Sequence, residues 1–79
     1  MKTVNIKLND ISKVKNFVNI TSQFDGDFDL VSGKYIVDAK SIMGVFSLDL
    51  SKTIQLHINC EDEDVVNKYL RDIDKYIEK

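Results

Sequence analysis

Apolar residues in this chain recur with two different periods, and the switches between them constrain the fold more than any other feature. Val4, Ile6 and Leu8 alternate with Asn5 and Lys7, and Ile54, Leu56 and Ile58 alternate with Gln55, His57 and Asn59. Period two places every second side chain on one face, the pattern of a half-buried strand. Tyr35, Val37 and Ala39 fall on one face of a third strand, with Ile36 and Asp38 on the other, and a short strand surrounds Phe28 and Leu30. Ile11, Val14, Phe17, Val18, Ile20 and Phe24 instead fill a broad arc of a helical wheel, with Lys13, Lys15, Asn19 and Ser22 mostly opposite. Val65, Tyr69, Ile73 and Ile77 recur every four residues, and Val66, Leu70 and Tyr76 widen that stripe.

Turn and cap residues separate these segments. Asn9 and Asp10 supply N-cap chemistry before the first helix. Asp25-Gly26-Asp27 ends it, with Gly26 able to take positive φ cheaply. Ser32-Gly33 predicts a two-residue hairpin turn. Ser41 opens a short second helix, and Asp49 to Lys52 connect it to the fourth strand. The acidic run Glu61-Asp62-Glu63-Asp64 starts the last helix, where negative charge complements the macrodipole, and Lys75 and Lys79 complement its other end.

The element order is therefore β-α-β-β-α-β-α. Each strand buries one face, and three amphipathic helices need a surface to cover. A four-stranded antiparallel sheet with the three helices on one face, an α+β fold, satisfies both demands. Val4, Leu56 and Val37 are predicted on the covered face. Residues 1–79 are expected to form a single domain, which at this size buries only about 60% of its unfolded surface.

Composition excludes several classes. A net charge of −2 gives no basic face for nucleic acid. No run reaches the roughly 18 apolar residues of a membrane span, and no long apolar segment marks a secretory signal. Cys60 is the only cysteine, which rules out an intrachain disulfide and fits a cytoplasmic protein. With one histidine and no paired cysteines, no metal site is expected, and no cofactor. Asp25, Asp27 and Asp29 lack the glycine and distal glutamate of an EF-hand.

The Ser41 helix is unusually apolar. Ile42, Met43, Val45 and Phe46 are too many apolar groups for so short an element to bury, so some must face solvent or a partner. Lys40-Ser41-Ile42-Met43-Gly44-Val45-Phe46-Ser47-Leu48 resembles the regulatory-serine segment of HPr, the small phosphocarrier of the bacterial sugar phosphotransferase system. The resemblance extends through Ser22-Gln23-Phe24-Asp25-Gly26-Asp27 and the Ser32-Gly33 turn. It implies the HPr-like open-faced β-sandwich, which agrees with the fold read from periodicity. It also implies that Ser41 is phosphorylated by a dedicated serine kinase-phosphorylase, and that Lys40, Ile42, Met43 and Phe46 form a partner-binding patch. Val45 and Leu48 are expected to point inward.

One departure from the family pattern decides the chemistry. The phosphoryl-accepting histidine of a Gly-Ile-His-Ala-Arg-Pro-like loop is missing. The corresponding segment runs Leu8-Asn9-Asp10-Ile11-Ser12-Lys13, and Asp10 stands nearest the histidine's place. Asp10 can in principle accept phosphate as an acyl phosphate, against the simpler role of N-cap. His57 lies mid-strand on the polar face, away from any helix N-terminus.

Two functions from different classes follow. One is a non-enzymatic regulatory module that docks partners through the short helix under control of serine phosphorylation. The other is a phosphocarrier of the sugar phosphotransferase system with a non-standard acceptor. A degenerate HPr-like binding domain is a third. The implied partners are proteins: the serine kinase-phosphorylase, a transcriptional regulator, or phosphotransferase-system components. The chain itself is expected to be a monomer.

Overall fold

The computed structural model describes residues 1–78, and Lys79, expected to complement the last helix's end, lies outside the described residues. The elements are β1 (Lys2–Ile6), α1 (Ile11–Thr21), β2 (Asp27–Ser32), β3 (Tyr35–Asp38), α2 (Ile42–Phe46), β4 (Ile54–Asn59) and α3 (Glu63–Asp72), followed by a 3-10 turn at Asp74–Tyr76. The strands form one sheet in the order β1-β4-β2-β3. Every neighbouring pair is antiparallel.

Strand register carries the period-two pattern across the sheet. Val4, Leu56, Leu30 and Val37 stand in one cross-strand row. Leu56 and Leu30 are fully buried, and Val4 and Val37 at the row's ends are half-buried. Ile6, Ile54, Ile58 and Phe28 join the same face, so the predicted covered face is the observed one. Thr3, His57, Asp29 and Asp38 form a row on the open face. A one-residue slip would exchange these sets, and burying each aliphatic side chain is worth about 1.5–3 kcal/mol.

Helix α1 contributes Val14, Phe17, Val18 and Thr21 to the interior, and α3 contributes Tyr69. Thr21 is the buried polar residue of this core. Its hydroxyl donates to the Phe17 carbonyl at 2.8 Å and lies 2.8 Å from the Tyr69 hydroxyl. With the Thr21 proton committed to Phe17, the Tyr69 O–H donates to Thr21 Oγ1. Burial pushes the Tyr69 phenol well above its ordinary value, and the Thr21 bond offsets this only in part. The Tyr69 ring also packs edge-on to Phe24 and tilted to Phe28, at centroid distances of 5.1 and 4.6 Å.

Three boundaries and the exposure of Ile11 differ from the sequence expectation. Helix α1 ends at Thr21 rather than Phe24. Gln23 N–H to Ile20 O and Phe24 N–H to Thr21 O tighten the chain into i→i+3 turns, so that the Phe24 ring reaches Tyr69. Ile11 extends the apolar stripe beyond the core and is 64% exposed. The hairpin turn is Gly33-Lys34, because Ser32 pairs with Tyr35. Gly33 sits at φ 59 while no described non-glycine residue has positive φ, the requirement of a II′-type turn with glycine first. Finally, Ile77 keeps the four-residue spacing but leaves the helix. The open edge of β1 offers main-chain partners: Lys7 N–H donates to Tyr76 O at 2.9 Å, Glu78 N–H donates to Asn5 O at 2.8 Å, and Ile77 bridges Ile6. Pairing an otherwise bare strand edge outweighs one more helical turn.

Candidate functional site

Two helix N-termini carry the residues the sequence singled out. At the first, Asp10 adopts an extended backbone before α1. Its Oδ1 accepts from Ser12 N–H at 2.8 Å, Ser12 Oγ at 2.7 Å and Lys13 N–H at 3.2 Å. These bonds, the Ser12 hydroxyl foremost, hold the carboxyl below its ordinary value of 3.8. Asp10 is thus an N-cap whose carboxylate already takes two of the unpaired N–H groups at the start of the helix. Lys13 Nζ donates to Asn9 Oδ1 at 2.9 Å, which ties the first turn to the preceding loop.

At the second, Ser41 caps α2 from an extended backbone, and its Oγ accepts from Gly44 N–H at 3.2 Å. Ser41 N–H donates to Asp38 O and Ser41 O accepts from Val45 N–H, so β3 delivers the chain into the helix. Gly44 lets α2 lie close to the sheet: a Cβ there would meet Ser41 Oγ at 3.2 Å and Val37 Cβ at 3.3 Å. The first turn of α2 contains no acidic residue, and Ser41 itself is exposed.

The apolar residues of α2 divide as their spacing requires. Val45 is fully buried and Leu48 nearly so. Met43 is 76% exposed and Ile42 is exposed less fully. Phe46 is half-buried and packs against the core, so only part of its ring faces outward. Lys40 is engaged within the fold: its Nζ donates to Gly26 O at 3.3 Å and sits 5.3 Å over the Phe28 ring. Ser41, Ile42 and Met43 therefore form one continuous exposed surface, with Lys40 and Phe46 anchoring its margins.

His57 lies half-buried on the open face between Thr3 and Asp29 in register, with Nε2 3.2 Å from Gln55 Oε1. No helix N-terminus approaches it along that row. Among the described residues, no group of three or more His, Cys, Asp or Glu side chains is placed to hold a metal ion. No described helix is long and apolar enough to cross a membrane.

Comparison with known proteins agrees with this geometry. Residues 12–79 match the family model described as the PTS HPr component phosphorylation site. The chain belongs to the HPr family. Among solved structures, HPr-C-His from Thermoanaerobacter tengcongensis is similar at 30% identity and a TM-score of 0.75, over 92% of this chain and 90% of that one. The histidine-containing phosphocarrier protein of a Mycoplasma shares the fold at 16% identity and a TM-score of 0.69, over 99% of this chain and all of that one. The phosphocarrier protein HPr from Bacillus anthracis matches at 24% identity and a TM-score of 0.58, over 90% and 92% of the two chains. No curated protein sequence matches the chain. As an HPr family member, the chain is related to the phosphotransferase system and to protein partners of that kind.

Proposed function

We propose that this HPr family member is a regulatory module of the phosphotransferase system, acting in the cytoplasm, which docks partner proteins through α2 under control of Ser41 phosphorylation. The observation that carries this reading is the placement of Ser41. It is an exposed N-cap directly beside exposed Ile42 and Met43. A phosphate on Ser41 brings nearly two negative charges to the positive end of α2, where no acidic side chain of the first turn repels it. A partner's arginine or lysine reads the phosphate while an apolar pocket takes Met43 and Ile42, with the open rim of Phe46 completing the contact. Met43 suits such a surface because its flexible thioether adapts to the pocket offered. The test is incubation with ATP and the serine kinase of the system. One acid-stable phosphate is expected on the wild type and none on Ser41→Ala. An unmodified wild type, or an equally modified Ser41→Ala, refutes the reading.

A specific observation also keeps the phosphocarrier alternative in view. Asp10 places a carboxylate at the N-terminus of α1, the kind of position where helix N–H groups stabilise a transferred phosphoryl group. Its oxygen already accepts three bonds from Ser12 and Lys13. Phosphorylation there would form an acyl phosphate at the expense of that cap. A hydroxylamine-sensitive phosphate on the wild type, absent from Asp10→Asn, would favour this alternative.

A further inference from the structure

We infer that the free edge of β3 is a self-association surface, on which a second copy of this chain pairs antiparallel about Ile36. The other edge of the sheet is closed by the chain's own end, through the bonds that join Tyr76 and Glu78 to Lys7 and Asn5. The β3 edge, from Tyr35 to Asp38, is short and charged at both ends, but it lacks proline and a bulge, the two protections that block main-chain pairing outright. Tyr35 and Ile36 on it are 72% and 69% exposed.

Main-chain phase and charge together select the occupant. Ala39 N–H donates to Phe28 O at 2.8 Å, so Ala39, Val37 and Tyr35 direct their main-chain groups toward β2. Alternation then turns both main-chain groups of Ile36 and the N–H of Asp38 to the free edge, while the Asp38 carbonyl is held by Ser41 N–H. A two-fold pairing with Ile36 opposite Ile36 matches these groups. Each Ile36 N–H meets the other Ile36 carbonyl, and each Asp38 N–H meets the Lys34 carbonyl of the second copy. The same register sets Lys34 opposite Asp38 of the second copy, twice, on the open face. It also lays Tyr35 against Val37 of the second copy on the covered face. A slip of one residue would put open-face side chains against covered-face ones. A slip of two puts Lys34 or Asp38 opposite Ile36 and loses both ion pairs. The edge is thus self-complementary in hydrogen bonds, in shape parity and in charge, and pairing produces one continuous eight-stranded sheet.

So short an edge makes a small interface, and association is expected with a Kd on the order of 0.1–1 mM. Sedimentation equilibrium from about 10 µM to about 2 mM should show the wild-type mass rising from monomer toward dimer. Ile36→Lys should hold it at the monomer by placing two like charges on the two-fold axis. Lys34→Asp and Asp38→Lys should each remain monomeric alone, and their equimolar mixture should associate again, because opposite charges then meet at both positions. Circular dichroism confirms folding of each variant, and Lys34 lies in an exposed turn where substitution leaves the core untouched. A wild type that stays monomeric throughout, association that survives Ile36→Lys, or a mixture that fails to associate would each overturn the inference.

Discussion

Ser41 can be tested by a ladder of three forms: Ser41→Ala, the unmodified protein and the Ser41-phosphorylated protein. The hydroxyl makes one capping bond, from Gly44 N–H, and at 3.2 Å it is long. Ser41 is exposed, so water replaces part of that bond when it is lost. The main-chain bond from Val45 N–H to Ser41 O, at 2.9 Å, survives the substitution. The loss for Ser41→Ala therefore falls in the lower part of the capping range, about 0.5–1 kcal/mol. In a domain of this size that corresponds to a drop in Tm of roughly 2–8 °C. Phosphorylation adds charge where the dipole favours it, and a gain of roughly 0.3–1 kcal/mol over the unmodified protein follows. Thermal unfolding at low and high salt separates the two parts. The phosphate gain should shrink with salt, and the Ser41→Ala loss should not. A phosphorylated form less stable than the unmodified one would refute the claim that the start of α2 welcomes a phosphate. A loss above about 2 kcal/mol for Ser41→Ala would show that the side chain does more than cap the helix.

Three further outcomes are expected. Thr21→Val leaves the buried Tyr69 hydroxyl without an acceptor and should cost about 1–3 kcal/mol, more than the roughly 0.5–1.5 kcal/mol for Tyr69→Phe. Denaturant unfolding should also show the double variant costing less than the sum of the two, and strict additivity would argue against the Thr21–Tyr69 bond. Phe46→Ala should cost roughly 1.5–3 kcal/mol, because the ring is half-buried, while Met43→Ala should leave stability within about 0.5 kcal/mol. Equal effects in chemical denaturation would mean the division of α2 into inner and outer faces is wrong. The Asp10 carboxyl, held low by its bonds, should titrate by carbon NMR with a midpoint below 3.8. Its folded pKa is depressed, so its contribution to stability is present above the unfolded value and fades as pH falls through the folded one. Asp10→Asn should remove that step from the acid unfolding profile, and a midpoint at or above 3.8 would contradict the capping geometry.

The strands were legible in the sequence because each buries one face, and alternation reports that directly. Val4, Leu56 and Val37 needed only parity to place on the covered face, and the register that sets them in one row with Leu30 comes from the structure. The caps were equally plain, since Asp10 and Ser41 act through local bonds that depend on nearby residues alone. The end of α3 was not legible. Ile77 keeps the helical spacing, and only the distant edge of β1, seventy residues earlier in the chain on the order of a full domain length, makes an extended ending the better choice. The hairpin turn lies one residue later than expected because Ser32 pairs with Tyr35, which puts Gly33 at the first turn position, where its positive φ is needed. Thr21 was hidden for a related reason. A threonine near a helix end reads as surface until Tyr69, from the last helix, is known to stand over it. In the candidate site, the family resemblance placed Ile42, Met43 and Phe46 on an exposed face beside Ser41, and Ile42 and Met43 are exposed. The sequence had no means of showing that Lys40 is held by Gly26 and Phe28, or that Phe46 lies partly in the core.

The central claim is that this HPr family member offers Ser41 to a kinase and has no histidine placed to carry phosphate. Intact-mass analysis tests it most directly, with the protein incubated in parallel with phosphoenolpyruvate and enzyme I, and with ATP and the serine kinase. No added phosphate is expected from the first source. From the second, one acid-stable phosphate is expected that Ser41→Ala abolishes. An acid-labile phosphate from phosphoenolpyruvate that disappears in His57→Ala, together with an unmodified Ser41, would contradict it.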